Sequence, residues 1–327
     1  MNEIKSAVKH KMLFVGVTTT KSIINHVFPA WMEILGSDLQ LEGVDIPARD
    51  EYEPVDSYAT IYRECIKKIK FTPEILGALV TTHKIDLYST TKDLFDELTN
   101  SSDRFGEIGC IYKSNSKLVG EATDILTAKR AFENICVAHQ GAPKTKSDVC
   151  ILGCGGAGIA LSYVLLANND QFTGKIIMTD ISDARSKNAK NLLSKYDSNH
   201  RLNIYTIQNT NETDKIINSM STGSFVINAT GLGKDKPGSP ISHNTIFPNN
   251  GCVWEYNYRG ELDFYKLAIA QKREQNLSIF DGFDYFLYGW ATVISRILGI
   301  HINDEIFARL SKVATEIYLS ERFACTV

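Results

Sequence analysis

The feature that most constrains this chain is the stretch Ser147 to Asp180, SDVCILGCGGAGIALSYVLLANNDQFTGKIIMTD. Val149 to Leu152 is a short apolar run with a β-branched start, the pattern of a buried parallel strand. Gly153, Gly155 and Gly158 follow in G-x-G-x-x-G spacing, with a further glycine at Gly156. From Ala157 the pattern turns helical, with Ile159, Ala160, Tyr163, Val164 and Leu165 recurring at three and four residues. A second apolar run, Lys175 to Met178, leads to Asp180. Strand, glycine turn, helix, strand and acid in this order suit one ligand chemistry. The first glycine makes the tight turn, and the second lets backbone N–H groups approach a pyrophosphate. The third lets helix and strand pack closely, and the helix N-terminus favours the anion. Asp180 is placed to accept hydrogen bonds from an adenosine ribose. The stretch therefore predicts dinucleotide binding by Gly153, Gly155, Gly156, Ala157, Gly158 and Asp180. The competing reading is a tight βα turn in some other α/β domain.

The rest of the chain repeats the alternation. Before the glycine turn, strands are expected at Met12–Val17, Leu41–Ile46 and Leu76–Val80. Short ones follow at Ile108–Tyr112 and Lys117–Val119, around the turn Ser114-Asn115-Ser116. Helices are expected at Ile23–Leu35, closed by Gly36, at Asp56–Ile69, at Ile85–Leu98 and at Ile125–Ala138. The segment HQGAPKTKSD, with Gly141 and Pro143, is a linker signal. After Asp180, strands at Leu202–Ile207, Ser224–Asn228, Cys252–Tyr256 and Leu277–Phe280 alternate with helices. Two helices, near Tyr285–Leu298 and Asp304–Phe323, close the chain. Alternating strands and helices imply a parallel sheet covered on both faces. A chain of 327 residues with a linker near Gly141 suits two α/β domains. A cleft between two such domains is where a small substrate is expected to meet a bound cofactor.

Composition removes several classes. A net charge of -3 gives no attraction to nucleic acid or to a membrane surface. No apolar run approaches the roughly 20 residues of a membrane span, and MNEIKSAVKHKM lacks an apolar signal core. A cytoplasmic protein is expected. The 7 cysteines are scattered, odd in number and without CxxC spacing, which argues for free thiols and against a zinc site. Cys154, inside the glycine turn, reads as a small filler with no basic neighbour to activate it.

Spaced motifs along nearly the whole chain resemble the shikimate dehydrogenase family, which includes quinate/shikimate dehydrogenases. The family opens on a strand and a His-Ser-x-Ser-Pro turn; here Ser22 keeps the first serine and Ile24 replaces the second. Its Asn-Val-Thr-x-Pro-x-Lys segment corresponds to GALVTTHK, ending in Lys84. Its Gly-x-Asn-Thr-Asp corresponds to Gly120-Glu121-Ala122-Thr123-Asp124. An earlier substrate-binding asparagine falls near Tyr112. The Asn-Ala-Thr-x-x-Gly loop is Asn228 to Gly233, and Asp-x-x-Tyr is Glu255-Tyr256-Asn257-Tyr258. The Gly-x-x-Met-Leu segment is Gly282 to Phe286, and the family's substrate-binding glutamine aligns with Gly289, beside Trp290. Asn-Arg-Thr after the second strand is Asp180-Ile181-Ser182.

The resemblance implies a substrate domain over 1–124, completed by 285–327, and a Rossmann-type NAD(P)-binding domain over 125–284, with the C-terminal helices returning to the first domain. It implies reversible hydride transfer between nicotinamide and a secondary alcohol or ketone of a small cyclic carboxylic acid. It makes Lys84 the proton carrier and Asp124 its holder. Asn228, Thr230 and Gly282 join the cofactor set, while Ser22 and Tyr258 contact a substrate carboxylate. Lysine taken from water gives up its proton more readily, and an adjacent carboxylate orients it, which suits that pair. The bland alternatives are a solvated lysine and a helix cap at Asp124, with a helix cap for Ser22 and a half-buried tyrosine for Tyr258. Lys21 reads as solvated, His83 as a surface or capping histidine, and Tyr112 and Trp290 as packing residues. No arginine immediately follows Asp180, and a carboxylate repels a 2′-phosphate, so NAD is expected over NADP, with Arg185 one turn on able to soften the preference. The expected partner is a small carboxylate substrate, with no nucleic acid, no membrane and no metal, in a monomer or homodimer. The substitutions on the substrate side make shikimate itself doubtful. The rival class is an NAD(H)-binding sensor of the same fold without chemistry.

Overall fold

A computed structural model describes residues 9–49, 53–142, 144–234 and 236–324. Pro143 of the predicted linker, Cys325 and the first eight residues of the N-terminal segment lie outside the described residues. The chain divides into two compact units, one of residues 1–123 with 289–327 and one of residues 124–288.

The first unit begins with β1 (Lys11–Gly16), α1 (Ile24–Leu35), β2 (Gln40–Asp45), α2 (Asp56–Phe71), β3 (Ile75–Val80) and α3 (Lys84–Thr91). It continues with β4 (Glu97–Leu98), α4 (Asn100–Phe105), β5 (Cys110–Ser114) and β6 (Lys117–Glu121). The strands form a sheet in the order β2-β1-β3-β5-β6-β4. β1 pairs in parallel with β2 and β3, while β5 runs antiparallel to β3 and β6. The expected all-parallel sheet is therefore mixed here. Asn115 and Ser116 take φ of 50° and 62°, a two-residue turn of the kind that reverses a chain into a hairpin.

The single helix expected over Ile85–Leu98 is also corrected. α3 stops at Thr91, a 3₁₀ turn covers Lys92–Leu94, and Glu97–Leu98 pairs with β6. The hydroxyls of Thr90 and Thr91 bond back to the carbonyls of Asp86 and Leu87. Leu94, Phe95 and Leu98 turn inward onto a core that includes Tyr62, Ile66, Ile108 and Leu118. Burying that apolar trio outweighs continuing an exposed helix.

The second unit runs α5 (Asp124–Gln140), β7 (Val149–Leu152), α6 (Gly156–Ala167), β8 (Ile176–Asp180), α7 (Asp183–Leu193) and β9 (Leu202–Thr206). Then come α8 (Thr210–Asn218), β10 (Phe225–Asn228), β11 (Cys252–Glu255), α9 (Asp263–Gln271) and β12 (Ser278–Phe280). Its strands lie in the order β12-β11-β10-β7-β8-β9, every pairing parallel. The chain winds outward from β7 through β8 to β9. It then crosses to the other side of β7 and winds outward again, so the direction reverses between β7 and β10. A doubly wound sheet binds its ligand at such a switch point, outside the carboxyl ends of the strands. Phe132 of α5 packs on Phe172, Phe225 and Trp254, closing one face of the sheet.

The chain closes with α10 (Phe283–Leu298) and α11 (Asp304–Ala324). In the first unit, the Trp31 indole of α1 donates to the Leu310 carbonyl of α11 at 2.9 Å. Ile297 of α10 lies over Gly77 of β3, where a Cβ would come within 2.8 Å of it. From Gly289 onward the C-terminal helices thus complete the first unit. Among the described residues no helix is long and apolar enough to cross a membrane.

Candidate active site

The glycine turn follows β7 at the switch point. Gly153 has φ +107°, a left-handed conformation that favours glycine. A Cβ there would lie 2.9 Å from the Ala229 carbonyl, so glycine lets this turn touch the loop after β10. A Cβ on Gly158 would collide with the Gly153 carbonyl, the close helix–strand approach read from the spacing. Gly155 differs. It is the extended N-cap of α6, no side chain caps the helix, and nothing lies within 4 Å of the place its Cβ would take. The cap residue thus brings no side-chain acceptor to the first N–H groups of α6, and the place beside the cap where its Cβ would sit is open. That is the cradle an anion fills, and a dinucleotide's pyrophosphate fits it.

Asp180 ends β8 and is buried. Its Oδ2 accepts from Cys154 N and its Oδ1 from Ser182 N, both at 2.8 Å. The carboxylate staples the glycine turn to the neighbouring strand, a role that spacing did not predict, and each oxygen keeps further acceptor capacity for a ribose hydroxyl. Ile181, in the arginine position of the family pattern, is 74% exposed. Burial pushes the Cys154 thiol up to about 12, so it is a filler and not a nucleophile.

Beyond β10, the buried Asn228 accepts at Oδ1 from Thr230 N (3.1 Å) and Thr230 Oγ1 (2.7 Å), which curls the loop back on the strand end. Asn228 Nδ2 donates to Glu255 Oε2 at 2.7 Å. Gly282 donates its N–H to the Asn257 carbonyl at 3.1 Å, and a Cβ on Gly282 would strike the Tyr256 carbonyl. The second unit thus gathers Gly153 to Gly158, Asp180, Asn228, Thr230 and Gly282 at the carboxyl ends of β7, β8, β10 and β12. Asp124 is the first residue of α5, and its charge helps to hold the Tyr256 phenol, already raised by burial, well above its ordinary range. Tyr258 is half-buried, its ring 4.7 Å from that of Phe286 and 6.1 Å from that of Phe283.

In the first unit the candidate residues also sit past the carboxyl ends of parallel strands. Thr19 is fixed by its N and Oγ1 to Asp45 Oδ1, at 2.8 and 2.6 Å. Asn25 Nδ2 holds the Thr19 and Ser22 carbonyls, each at 2.9 Å. Ser22 is buried in this fixed turn, while Lys21 is exposed. Lys84 opens α3, partly buried, with its side chain over Gly109; Cε and Nζ lie 3.4 and 3.6 Å from where a Gly109 Cβ would be. Glycine at 109 leaves room for the lysine stem.

His83 corrects an expectation. It holds the N-cap position of α3, yet its side chain makes no cap bond and it is 2% exposed. Its Nε2 donates to the Ile46 carbonyl at 3.0 Å, so Nδ1 is the acceptor for the Tyr62 hydroxyl at 2.9 Å. Burial pushes the imidazole below its ordinary value, leaving it neutral. It pins the start of α3, and with it Lys84, to α2 and to Ile46, the residue that follows β2. Trp290 is buried edge-on against Phe14, ring centroids 5.0 Å apart, as a packing residue. Two side chains that the sequence placed in motifs without a role of their own are set by the fold. Glu121 forms a two-point ion pair with Arg296, and Glu255 lies fully buried. The signal for Glu255 was a carboxylate ending an apolar strand.

No protein-family model matches the chain. A shikimate dehydrogenase (NADP(+)) of Streptococcus gordonii is 26% identical over 195 residues, which span 59% of this chain and 62% of that protein. The chain thus matches less than two thirds of that relative's length. Among solved structures, quinate dehydrogenase from Corynebacterium glutamicum in complex with NAD superposes with a TM-score of 0.67 at 15% identity, covering 94% of this chain and 99% of that one. Shikimate dehydrogenase 1 from Peptoclostridium difficile superposes at 0.68 and 19% identity, covering 95% and 99%. In sequence over part of its length, and in fold over nearly all of it, the chain is similar to the shikimate and quinate dehydrogenases.

Proposed function

We propose that this chain is an NAD(P)-dependent dehydrogenase of the shikimate dehydrogenase type, acting on CH–OH. Its substrate in this reading is a secondary alcohol or ketone on a small carboxylic acid, cyclic as in shikimate, quinate or an analogue. The observation that carries the reading is the uncapped N-terminus of α6, open at Gly155, flanked by Asp180 and the Asn228–Thr230 loop at the switch point of a doubly wound sheet. The nicotinamide supplies or accepts the hydride when bound. Backbone groups of Gly153, Gly155, Gly156, Ala157 and Gly158 hold the pyrophosphate, Asp180 the ribose, and Asn228, Thr230 and Gly282 the nicotinamide side. Lys84 Nζ carries the proton to and from the substrate oxygen, and Asp124 orients it. Ser22 and Tyr258 bind the carboxylate. Residues 1–124 with 285–327 serve the substrate, and 125–284 the nucleotide.

We favour NAD over NADP, because the fixed Asp180 carboxylate repels a 2′-phosphate and Ile181 offers it no cation. Ile24, Ala122 and Gly289 replace a serine, an asparagine and a glutamine of the family pattern. These losses disfavour shikimate itself, and leave a related cyclitol carboxylate, an aminated analogue or an unrelated small acid as substrate. A cytoplasmic setting fits the six cysteines that are free and buried among the described residues, and the proposed assembly is a monomer or homodimer. The test is a fluorescence titration of NADH and NADPH, followed by turnover on a panel of hydroxy acids with both oxidised nucleotides. NADH consumed with one of the corresponding keto acids is the expected result. Binding of neither nucleotide overturns the reading. The lost substrate contacts favour one rival, an NAD(H) sensor; tight NADH binding without turnover, unchanged in Lys84→Ala, would mark it.

A further inference from the structure

Glu255 closes β11 with 0% exposure. Its carboxyl meets three donors: Asn228 Nδ2 at 2.7 Å on Oε2, and Asn257 N at 2.8 Å and Asn257 Nδ2 at 2.7 Å on Oε1. Both asparagines pass the constraint on. Asn228 Oδ1 takes Thr230 N and Oγ1, and Thr230 Oγ1 in turn accepts Leu232 N at 3.2 Å. Asn257 Nδ2 also donates to the Leu232 carbonyl at 3.1 Å, and the Asn257 carbonyl takes Gly282 N. One side chain therefore connects the loop after β10 with the segment that follows β12.

We propose that Glu255, as a carboxylate, is the positioning residue of the nicotinamide-side loop: it fixes the amide orientation of Asn228, and through it the shape of Asn228 to Leu232 that receives the dinucleotide. The proposal rests on the dinucleotide reading of the second unit.

The argument is one of hydrogen-bond polarity. An ionised carboxylate only accepts, so Asn228 must turn its NH₂ toward Glu255 and its oxygen toward Thr230. A neutral acid or amide at 255 brings a donor into a place already supplied with three. Asn228 can satisfy it only by turning its amide over, and that aims NH₂ at the Thr230 N–H and breaks the loop bond. Burial, joined by the charge of Asp281 just past β12, pushes Glu255 up to about 7 against the pull of its three donors. Asp281 is the charged group acting on it. Above about pH 7 the carboxylate sets the loop. As pH falls below that, the proton arrives and the loop is released.

The experiment titrates NADH by fluorescence between about pH 6 and pH 8 on the full chain, with hydrogen exchange of segment 228–233 as a second readout. The proteins are wild type, Glu255→Gln, and Glu255→Gln combined with Asn228→Asp. The double change restores the polarity, since the carboxylate now at 228 accepts from both the amide at 255 and Thr230. Wild type is expected to lose roughly tenfold in NADH affinity from pH 8 to pH 6, the span over which one group with a pKa near 7 takes up its proton. Glu255→Gln is expected to bind about tenfold more weakly at pH 8, to show little pH dependence there, and to exchange faster at Thr230 and Leu232. The double variant is expected to regain slow exchange. Wild type that binds NADH, with Glu255→Gln matching its affinity and pH profile, overturns the role of Glu255 alone. Wild type that binds neither NADH nor NADPH overturns the dinucleotide reading and the proposal with it. If the single variant does not fold, a folded double variant with slow loop exchange supports the proposal, and one with fast exchange overturns it.

Discussion

Gly155 and Gly158 stand three residues apart in one motif, and the structure assigns them opposite sensitivities to the same methyl group. At Gly155 the backbone is φ -79°, ψ -178°, which alanine adopts freely, and nothing lies within 4 Å of the new Cβ. The lost freedom of the unfolded chain stabilises by about 0.4–1 kcal/mol. Alanine is a poorer N-cap than glycine by a similar amount, so Gly155→Ala should leave folding stability within about 0.5 kcal/mol of wild type. Its methyl enters the space assigned to the pyrophosphate. NADH affinity should fall at least tenfold, about 1.4 kcal/mol. At Gly158 the methyl meets the Gly153 carbonyl oxygen, with the Gly153 carbonyl carbon at 3.3 Å. Both are backbone atoms that cannot swing aside, and overpacking of this kind costs about 1–3 kcal/mol. Gly158→Ala should therefore unfold at lower denaturant. Urea unfolding followed by circular dichroism reads the stability, and fluorescence titration reads the affinity. If Gly155→Ala bound NADH as tightly as wild type, the pyrophosphate would not lie over Gly155 and the placement would be wrong.

Lys84→Met should lower kcat by about 10²–10⁴-fold while NADH affinity stays put, because the lysine is assigned to proton transfer; steady-state turnover beside a binding titration decides, and an unchanged kcat would remove the lysine from the chemistry. Ile181→Arg should shift preference toward NADPH, as the new cation would follow Asp180 at the proposed ribose site, with stability changed by no more than about 0.5 kcal/mol at this 74% exposed position; competing titrations of the two nucleotides read the ratio. His83 is held neutral, with its folded pKa below the unfolded value of 6.5. Its contribution is present above pH 6.5 and lost as pH falls through the folded pKa, with a slope of at most about 1.4 kcal/mol per pH unit. His83→Gln can make bonds of the same kind to Tyr62 and Ile46 without charging, so its unfolding free energy should fall less steeply below pH 6.5 than that of wild type; parallel slopes would show that His83 takes up no proton on unfolding.

Local pattern settled a good part of this molecule. β7 occupies Val149–Leu152, the residues whose apolar run announced it, and α6 starts at Gly156, one residue before Ala157, where the helical pattern was expected to begin. Gly36 ends α1 in the left-handed conformation for which a closing glycine is used. These features depend on the backbone preferences and apolar period of a few adjacent residues, and such information is written in the sequence directly. Other features depend on partners far along the chain. The first sheet is mixed because β5 pairs antiparallel with β3, and nothing within Cys110–Ser114 says which strand edge it will meet. α3 ends at Thr91 because the trio Leu94, Phe95 and Leu98 finds a core to enter. His83 reads as a surface cap until Tyr62 and Ile46, 21 and 37 residues away, close over it. Asp180 was legible as the acid after a strand, but the bonds it accepts from Cys154 N in the turn and from Ser182 N were not. Glu255 stands in the sequence only as the acid of an Asp-x-x-Tyr match, and its role appears when folding removes its water and sets Asn228, 27 residues earlier, against it. Sequence determined most of the segments that become strands, turns and helices, because that choice is largely short-range, the end of α3 being the exception. Only the tertiary structure decided which polar groups lose their solvent and which donors then face them, because desolvation and hydrogen-bond pairing belong to the assembled neighbourhood and not to any one stretch of chain.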